Sequence, residues 1–396
     1  MKSYSILVSL IIALLAGTDA EAKYSGGTGD PNDPYRIARA EDLNDIGNHQ
    51  EDWNKYFILV NDVNLFQYTG TQLKMIGVKF GDVGIPFTGV FDGDNHTISN
   101  FTYTGNEKYA IGLFGYIGVG GKISNVWLED ANVINNYWDS SVGALAGVNR
   151  GTIWNCYAKG KVLGVFSPGG IVGYNYYGLI SNSYASGTVS GKYFTGGLVG
   201  VNLGTIVNCY AASEVCGYDY TGGLLGENYH GTVACCYATG EIRGTYHDTG
   251  GLVGVNVDGT LLNCYSACDV SGEEGVGGLV GYNDYDCIIT NCYSAGSVDG
   301  NDLVGGLMGI NYYGGIISSY FLVTSGLDNG YGKPLTDEQM KQQASFMGWD
   351  FIEIWGIGEN QTYPFLLTDP AGDLDHDKKI DFADLAILAS HWLEER

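Results

Sequence analysis

The densest set of chemistry-bearing side chains in this 396-residue chain lies near its end, in Asp373-Leu-Asp-His-Asp-Lys-Lys-Ile-Asp-Phe-Ala-Asp384. Counting Asp373 as position 1 of a loop, carboxylates fall at positions 1, 3, 5, 9 and 12, namely Asp373, Asp375, Asp377, Asp381 and Asp384. The backbone carbonyl of Lys379 is available at position 7, and Ile380 supplies an apolar residue at position 8. Six or more oxygens at alternating positions are what a hard cation such as Ca2+ needs. Two features depart from the usual calcium loop: Lys378 stands where a glycine would ease the turn, and Asp384 replaces the longer Glu at position 12. Residues 381–393 then place Phe382, Leu385, Ala386, Ala389 and Trp392 on one helical face, so the loop is predicted to lead into an amphipathic helix. An acidic, solvated tail would account for the charge but not for the alternation followed by that face.

Elsewhere the chain offers little that could do chemistry. A glycosidase needs two carboxylates about 5–10 Å apart. Asp284 with Asp286, or Glu273 with Glu274, are candidates only because carboxylates are common in this chain. A lyase acting on uronates needs a cation beside the sugar carboxylate and a base. No Lys or Arg occurs between Arg243 and Lys333, and the earlier Arg150, Lys159, Lys161, Lys192 and Arg243 do not recur at a spacing that clusters them. His230 and His247 sit in predicted turns with no nucleophile placed beside them. The expectation is a chain without a catalytic residue.

Residues 1–22 read as a signal peptide: Lys2, an apolar run over residues 6–16, and the small-x-small site Ala20-Glu-Ala22. The run is too short to span a bilayer comfortably, and no later stretch approaches the roughly 18 apolar residues a transmembrane helix needs. The mature chain is therefore predicted to be secreted or held at the cell surface. A formal charge of −25 repels nucleic acid and anionic lipid and suits calcium or a neutral partner.

The remaining sequence is periodic. The last glycines of the motifs IGLFG, GALAG, GGIVG, GGLVG, GGLLG, GGLVG, GGLVG and GGLMG are Gly115, Gly147, Gly173, Gly200, Gly226, Gly254, Gly281 and Gly309. Their spacings are 32, 26, 27, 26, 28, 27 and 28 residues. Within a unit, short apolar stretches alternate with Gly, Asn and Ser, which favours three short strands and tight turns. One unit cannot bury its apolar face alone. Coiling the chain so that each strand pairs with its copy one turn later buries a continuous core. The fold class is thus an all-β solenoid, and eight coils at about 4.8 Å each make a rod about 40 Å long.

Columns follow from the register. Asn149, Asn175, Asn202, Asn228, Asn256, Asn283 and Asn311 form one, explained by tolerance of positive φ at a turn and by amides that stack up the rod. Tyr157, Tyr184, Tyr210, Tyr237, Tyr265, Tyr293 and Tyr320 form another, predicted to be an inward aromatic stack; outward rings would instead offer faces to sugars. Cys156, Cys209, Cys236, Cys264 and Cys292 share a third with Ser183 and Ser319, which marks a small semi-buried slot rather than a disulfide framework. Cys216, Cys235, Cys268 and Cys287 stand outside it, with local pairing left open.

An array of this kind needs capped ends. Asp33 to Leu43 is predicted to begin a helix, with strands at residues 56–60 and 87–98. Near the other end Thr336 and Gln339 have capping-box spacing, and the aromatics of residues 346–351 and 363–366 are expected to close the rod.

GGLVGVNLGTIVNCYA and its copies resemble the GLUG motif of secreted bacterial β-helix proteins; FTGVFDGDNHTISNF (87–101), GWDF (348–351) and TYPFL (362–366) are similar to segments flanking it there. That resemblance implies a right-handed parallel β-helix of surface or adhesin-like character and supplies no catalytic residue. The Asp at loop position 12 resembles dockerin loops, an EF-hand type of calcium site that occurs twice and docks to a cohesin; here there is one clear copy. The implied organisation is a signal peptide (1–22), an N-terminal cap with irregular coils (23–110), GLUG-type repeats (111–332), a C-terminal cap (333–368) and a dockerin-like loop and helix (369–396). The expected function is a non-catalytic adhesin-like or glycan-binding rod, attached to a cohesin-like or cell-surface partner through calcium-ordered residues. The alternative is a polysaccharide lyase or glycoside hydrolase, or an accessory to a polysaccharide-degrading complex.

Overall fold

The structure is a computed structural model that describes residues 23–80, 83–106 and 110–367. The signal peptide and the loop of Asp373, Asp375, Asp377, Lys379, Asp381 and Asp384 lie outside the described residues.

The chain winds into a parallel β-solenoid with three faces. One coil shows the pattern. Val199–Asn202 belongs to an eight-stranded face running from Phe114–Ile117 to Met308–Asn311, and Thr205–Val207 belongs to an eleven-stranded face running from Tyr35–Ile37 to Gly315–Ile317. Tyr210–Gly217 and Asp219–Gly222 make the third, bent face. Each strand pairs in parallel with its copy one coil later: Ile206 with Val233, Tyr210 with Tyr237, Asn202 with Asn228. Leu198, Val199, Ile206, Ala211 and Val215 of this coil point inward, and their copies form one continuous core along the rod.

The motif glycines are required by close approach. A Cβ on Gly226 would lie 2.1 Å from the backbone carbonyl carbon of Phe194, because the strand of the preceding coil crosses directly over this position. Gly200, Gly254, Gly281 and Gly309 meet backbone at 2.5–2.7 Å in the same way, so only glycine fits the column.

The asparagine column is a buried amide ladder. Each Nδ2 donates to the Oδ1 of the next coil at 2.8 Å, from Asn149 through Asn175, Asn202, Asn228, Asn256 and Asn283 to Asn311. Amide stacking accounts for this column, but positive φ does not: these residues end strands. The left-handed turn belongs to a different column, Asn125, Asn155, Asn182, Asn208, Asn263 and Asn291, with φ of 51–54°. Cys235 replaces asparagine there at φ 51°.

All nine cysteines are free. In the Cys/Ser column each thiol or hydroxyl donates to the carbonyl two residues earlier, as Cys209 does to Val207 at 3.2 Å and Ser183 to Ser181 at 2.8 Å. One small donor per coil is what the slot requires, so Ser and Cys interchange. Cys216, Cys235, Cys268 and Cys287 are not locally paired. Burial pushes the thiols of Cys156 and Cys268 up to about 12, which leaves them inert.

Both ends differ from expectation. Tyr35–Ile37 is a strand paired with Tyr56–Leu59, and the helix begins only at Ala40, running to Asn48. Pro34 disfavours helix at Asp33, and the buried Asp42 carboxylate accepts from the Ala38 and Arg39 amides, fixing the start there. At the other end the capping box forms as its spacing predicts, Gln339 N to Thr336 Oγ1 and Thr336 N to Gln339 Oε1. The aromatics that follow do not close the rod. Phe346, Trp349 and Trp355 fold back along the outside of the third face and form a second apolar cluster with Tyr237, Tyr265, Tyr293 and Tyr320.

Two measurements test this packing. Replacing Asn202 by Ala takes the inter-coil acceptor from Asn175 Nδ2 and the inter-coil donor from Asn228 Oδ1, with an expected loss of about 2–4 kcal/mol in denaturant unfolding. With a thiol reagent under native conditions Cys216 reacts fast and Cys235 slowly, the other seven only on unfolding; a native count above two contradicts the packing.

Candidate binding surface

The amide ladder positions an exposed corner. After each ladder Asn the chain turns outward for a few residues and returns at a glycine packed on the ladder itself; a Cβ on Gly231 would lie 2.3 Å from both Asn202 Nδ2 and Asn228 Oδ1. The turn residues just before these glycines, Tyr177, His230, Asp258 and Tyr313, have φ of 48–70°, as does Asp286, φ 56°, in the copy where Cys287 follows instead. Bulky residues are uncommon in that region and cost of order 1–2 kcal/mol each. The covalent return to the ladder holds them there, facing solvent.

This corner is aromatic and acidic. Tyr177 is 65% exposed, Tyr285 50% and Tyr313 79%. Tyr285 and Tyr313 stack at 5.2 Å with Tyr312 edge-on to Tyr313, and Tyr229 meets His230 at 4.2 Å. His230 Nδ1 lies 3.5 Å from the Asp258 carboxylate. Exposed aromatic faces beside carboxylates can stack on apolar faces of a ligand and accept hydrogen bonds from its hydroxyls.

The tyrosine column, predicted to face the core, faces outward. Along Tyr157–Gly164 and its copies Ala158, Ala185 and Ala211 point into the core, so the tyrosine before each alanine points away from it. The rings stack on one another at 4.3–5.0 Å from Tyr157 to Tyr293, within 7° of parallel from Tyr184 onward. Outward placement does not offer sugar-stacking faces, because neighbouring rings occupy them; only edges and phenol oxygens look out. The C-terminal segment grips those edges. Tyr293 donates to the Pro364 carbonyl at 2.6 Å, the Met347 amide donates to the Tyr320 oxygen at 3.1 Å, and Trp349 Nε1 donates to the Ser318 carbonyl at 2.9 Å.

The carboxylates considered for catalysis are dispersed. Glu273 accepts from Asn301 Nδ2 at 3.0 Å, Glu274 pairs with His247 Nδ1 at 3.1 Å, and Asp284 accepts from the Tyr285 amide. Two other carboxylates, not singled out from the sequence, are more perturbed. Glu227 stands in register between Val201 and Val255, and burial pushes it up to about 7. Asp248 is also pushed up to about 7, by burial and then by Glu274 and Asp219, with His247 opposing. The signal was present as a carboxylate in an apolar column, a larger break than the Ser-for-Cys exchange. The sizeable cavities lie elsewhere: one of about 450 Å³ by Trp53 and Tyr103, another of about 400 Å³ by Ile316 and Tyr331. Among the described residues no group of three His, Cys, Asp or Glu side chains converges as metal ligands.

The fold and its repeat define a parallel β-helix carrying GLUG motifs: residues 164–190 and 272–299 match the GLUG motif model. Over 163 residues, 40% of its length, the chain is 33% identical to halomucin of Haloquadratum walsbyi, and over 160 residues, 39%, it is 32% identical to a protein named as a Gly-rich membrane protein in Evansella cellulosilytica. The match spans only 2% and 18% of those relatives. A solved structure described as a candidate immunoglobulin A1 protease of Bacteroides ovatus aligns with a TM-score of 0.49 at 22% identity, covering 87% of this chain and 96% of that one. No helix among the described residues is long and apolar enough to cross a membrane.

Glu227 and Asp248 hold protons more tightly folded than unfolded, so their own contribution to stability is greatest below about pH 4, falls between about pH 4 and 7, and is level above. Glu227→Gln is expected to raise the unfolding free energy by about 1–2 kcal/mol at pH 8 and to change it little at pH 4, read by melting at the two pH values.

Proposed function

We propose that this chain is a non-catalytic surface or secreted β-helix that displays its aromatic and acidic corner to a glycan or a partner protein, with a calcium-binding C-terminal module that attaches it to that partner. The observation that carries this reading is the contrast seen in five of the seven ladder coils: the ladder Asn is unvarying and, except at Asn311, buried, while the corner residues Tyr177, His230, Asp258, Asp286 and Tyr313 are exposed, held at positive φ and varied between Tyr, His and Asp. A rod that holds a strained backbone under solvent-facing side chains is built for display. The names of halomucin and of the Gly-rich membrane protein fit a surface setting. The oxygen spacing of Asp373, Asp375, Asp377, Lys379, Asp381 and Asp384 supports one calcium ion, and the resemblance to dockerins supports a cohesin-like partner.

The test is a glycan array probed with the full chain, with and without calcium, beside a variant in which Tyr177, Tyr285 and Tyr313 are each changed to Ser. Binding by the native chain that falls at least tenfold in the variant, at unchanged circular dichroism, is the expected result. Depolymerisation of a polysaccharide, lost on changing Glu227 or Asp248, would overturn it. Calcium titration of the full chain is expected to show one ion per chain, abolished by Asp373→Ala with Asp377→Ala; absence of binding heat removes the loop assignment.

A further inference from the structure

The three faces of the rod are closed unequally at the C-terminal end of the array. On the eight-stranded face the last strand, Met308–Asn311, is covered by the turn that follows: Gly306 N donates to the Leu327 carbonyl at 2.7 Å and Asn329 Nδ2 to the Met308 carbonyl at 2.8 Å. On the third face Tyr320–Leu322 pairs with a further strand, Lys333–Leu335. The eleven-stranded face ends at Gly315–Ile317, and among the described residues no strand pairs beyond it. Its opposite edge, Tyr35–Ile37, is covered, since Ser25 N donates to the Arg36 carbonyl and Arg36 N to the Gly26 carbonyl.

Three groups at the open edge are placed as if another coil followed. Gly315 N donates to the Cys287 carbonyl and the Ile317 carbonyl accepts from Asn291 N, so these residues face the preceding coil and Ile316, by alternation, turns its N–H and C=O the other way. The Ile316 side chain continues a core column in which Ile153, Ile180, Ile206, Val233, Leu261 and Ile289 are 0% exposed, yet Ile316 itself is only partly buried. Asn228 and Asn256 each use Nδ2 twice, on a glycine carbonyl and on the next ladder Asn; Asn311 makes only the first of these bonds, to the Gly314 carbonyl at 3.0 Å. Asn311 and Ile316 both line the cavity of about 400 Å³, together with Gly314, Ser318, Gly332 and Lys333.

We propose that this edge accepts an extended segment of another protein, which adds to the eleven-stranded face as one more parallel strand. A strand edge with free backbone groups is a template for such addition, and here the interface it would form continues the one already made between every pair of coils. The chemistry of the segment follows from the strands it would extend. Gly231-Thr-Val233 and Gly259-Thr-Leu261 show the pattern: a small residue, one residue facing solvent, then Val, Leu or Ile to cover Ile316. Lys333 is the one charged residue among those lining the cavity, which favours an acidic flank. The third face runs one strand further at this end, so the open edge is recessed; an extended segment reaches it, and the broad end of a second rod does not. The proposal rests on neither the aromatic corner nor the calcium loop.

The test is fluorescence anisotropy of the full chain with a labelled peptide copying residues 256–263 (Asn-Val-Asp-Gly-Thr-Leu-Leu-Asn), a stretch that pairs in this way inside the rod and carries one carboxylate. Binding is expected. N-methylation at the Thr260 or Leu262 position, whose amides would donate to the Gly314 and Ile316 carbonyls, is expected to weaken it about tenfold, whereas N-methylation at Leu261, whose amide points away, changes it less than about twofold. Ile316→Lys in the full chain is expected to weaken binding about tenfold at unchanged circular dichroism. The variant with Ser at Tyr177, Tyr285 and Tyr313 is expected to bind the peptide as the native chain does, which separates this result from the display reading. Site-resolved hydrogen exchange then reads the edge itself: the Ile316 amide exchanges fast in the free chain and slowly with peptide, the Ile289 amide slowly in both. Absence of peptide binding, equal binding of the three methylated forms, or binding indifferent to Ile316→Lys overturns the proposal. So does an Ile316 amide already protected in the free chain, which would put the chain's own tail or a second copy at the edge.

Discussion

The buried amide ladder is the constraint on which the rest of this structure depends. Six hydrogen bonds of 2.8 Å join seven asparagines through the core edge. An amide at such a position must find both a donor and an acceptor, and in a dry environment an unpaired one is strongly destabilising. Its partners are the copies above and below and the backbone of the glycine that closes its own corner, as Asn175 Nδ2 finds the Gly178 carbonyl and Asn228 Nδ2 the Gly231 carbonyl. Each coil must therefore return the chain to the same point, and the length of every unit is held near 27 residues by that requirement. A slip of one residue would also turn the core side chains outward. Turns and outer strands can vary in composition because the ladder, rather than their own residues, keeps the register.

Two outward surfaces follow from this geometry, and they differ in kind. At the corner after most ladder Asn residues the chain is exposed, and the glycine packed on the amides lets it turn sharply enough to hold Tyr177, His230, Asp258 and Tyr313 at positive φ. On the third face the strand repeat of about 4.8 Å matches the stacking distance of aromatic rings, so the tyrosines lie on one another and turn their faces to their own copies. The corner is suited to meeting a ligand. The ladder of rings is suited to being covered, and the segment from Met340 to Leu366 covers much of it.

Glu227 and Asp248 interrupt otherwise apolar or aromatic columns without an adjoining cavity of useful size, and their raised proton affinity follows from burial. Perturbed carboxylates mark functional sites often enough to be examined, but geometry decides. Here Asp248 lies over Gly275, where a Cβ would come within 2.3 Å of its Oδ1, and Glu227 sits among valines of neighbouring coils. Neither carboxylate borders the cavities near Trp53 or Ile316.

The spacing of the motif glycines by itself determined the coil, the parallel stacking and the columns, because a parallel solenoid repeats in space what the chain repeats in sequence. It also determined that Ser and Cys share a slot, and that Thr336 caps a helix, since both depend on residues two or three apart. Which way the tyrosines point was left to the tertiary structure. Alternation along a strand fixes that Tyr and the following Ala face opposite sides, but a residue as amphipathic as Tyr does not say which side is the core. The same limit applied to Asn: two columns recur with one period, and only the backbone shows which carries the amide ladder and which the left-handed turn. The aromatic tail looked like a plug because its residues are apolar and near the end of the array. Its place along the outer face depends on contacts such as Trp355 Nε1 with Asn263, 92 residues apart, and no local pattern encodes a contact of that range.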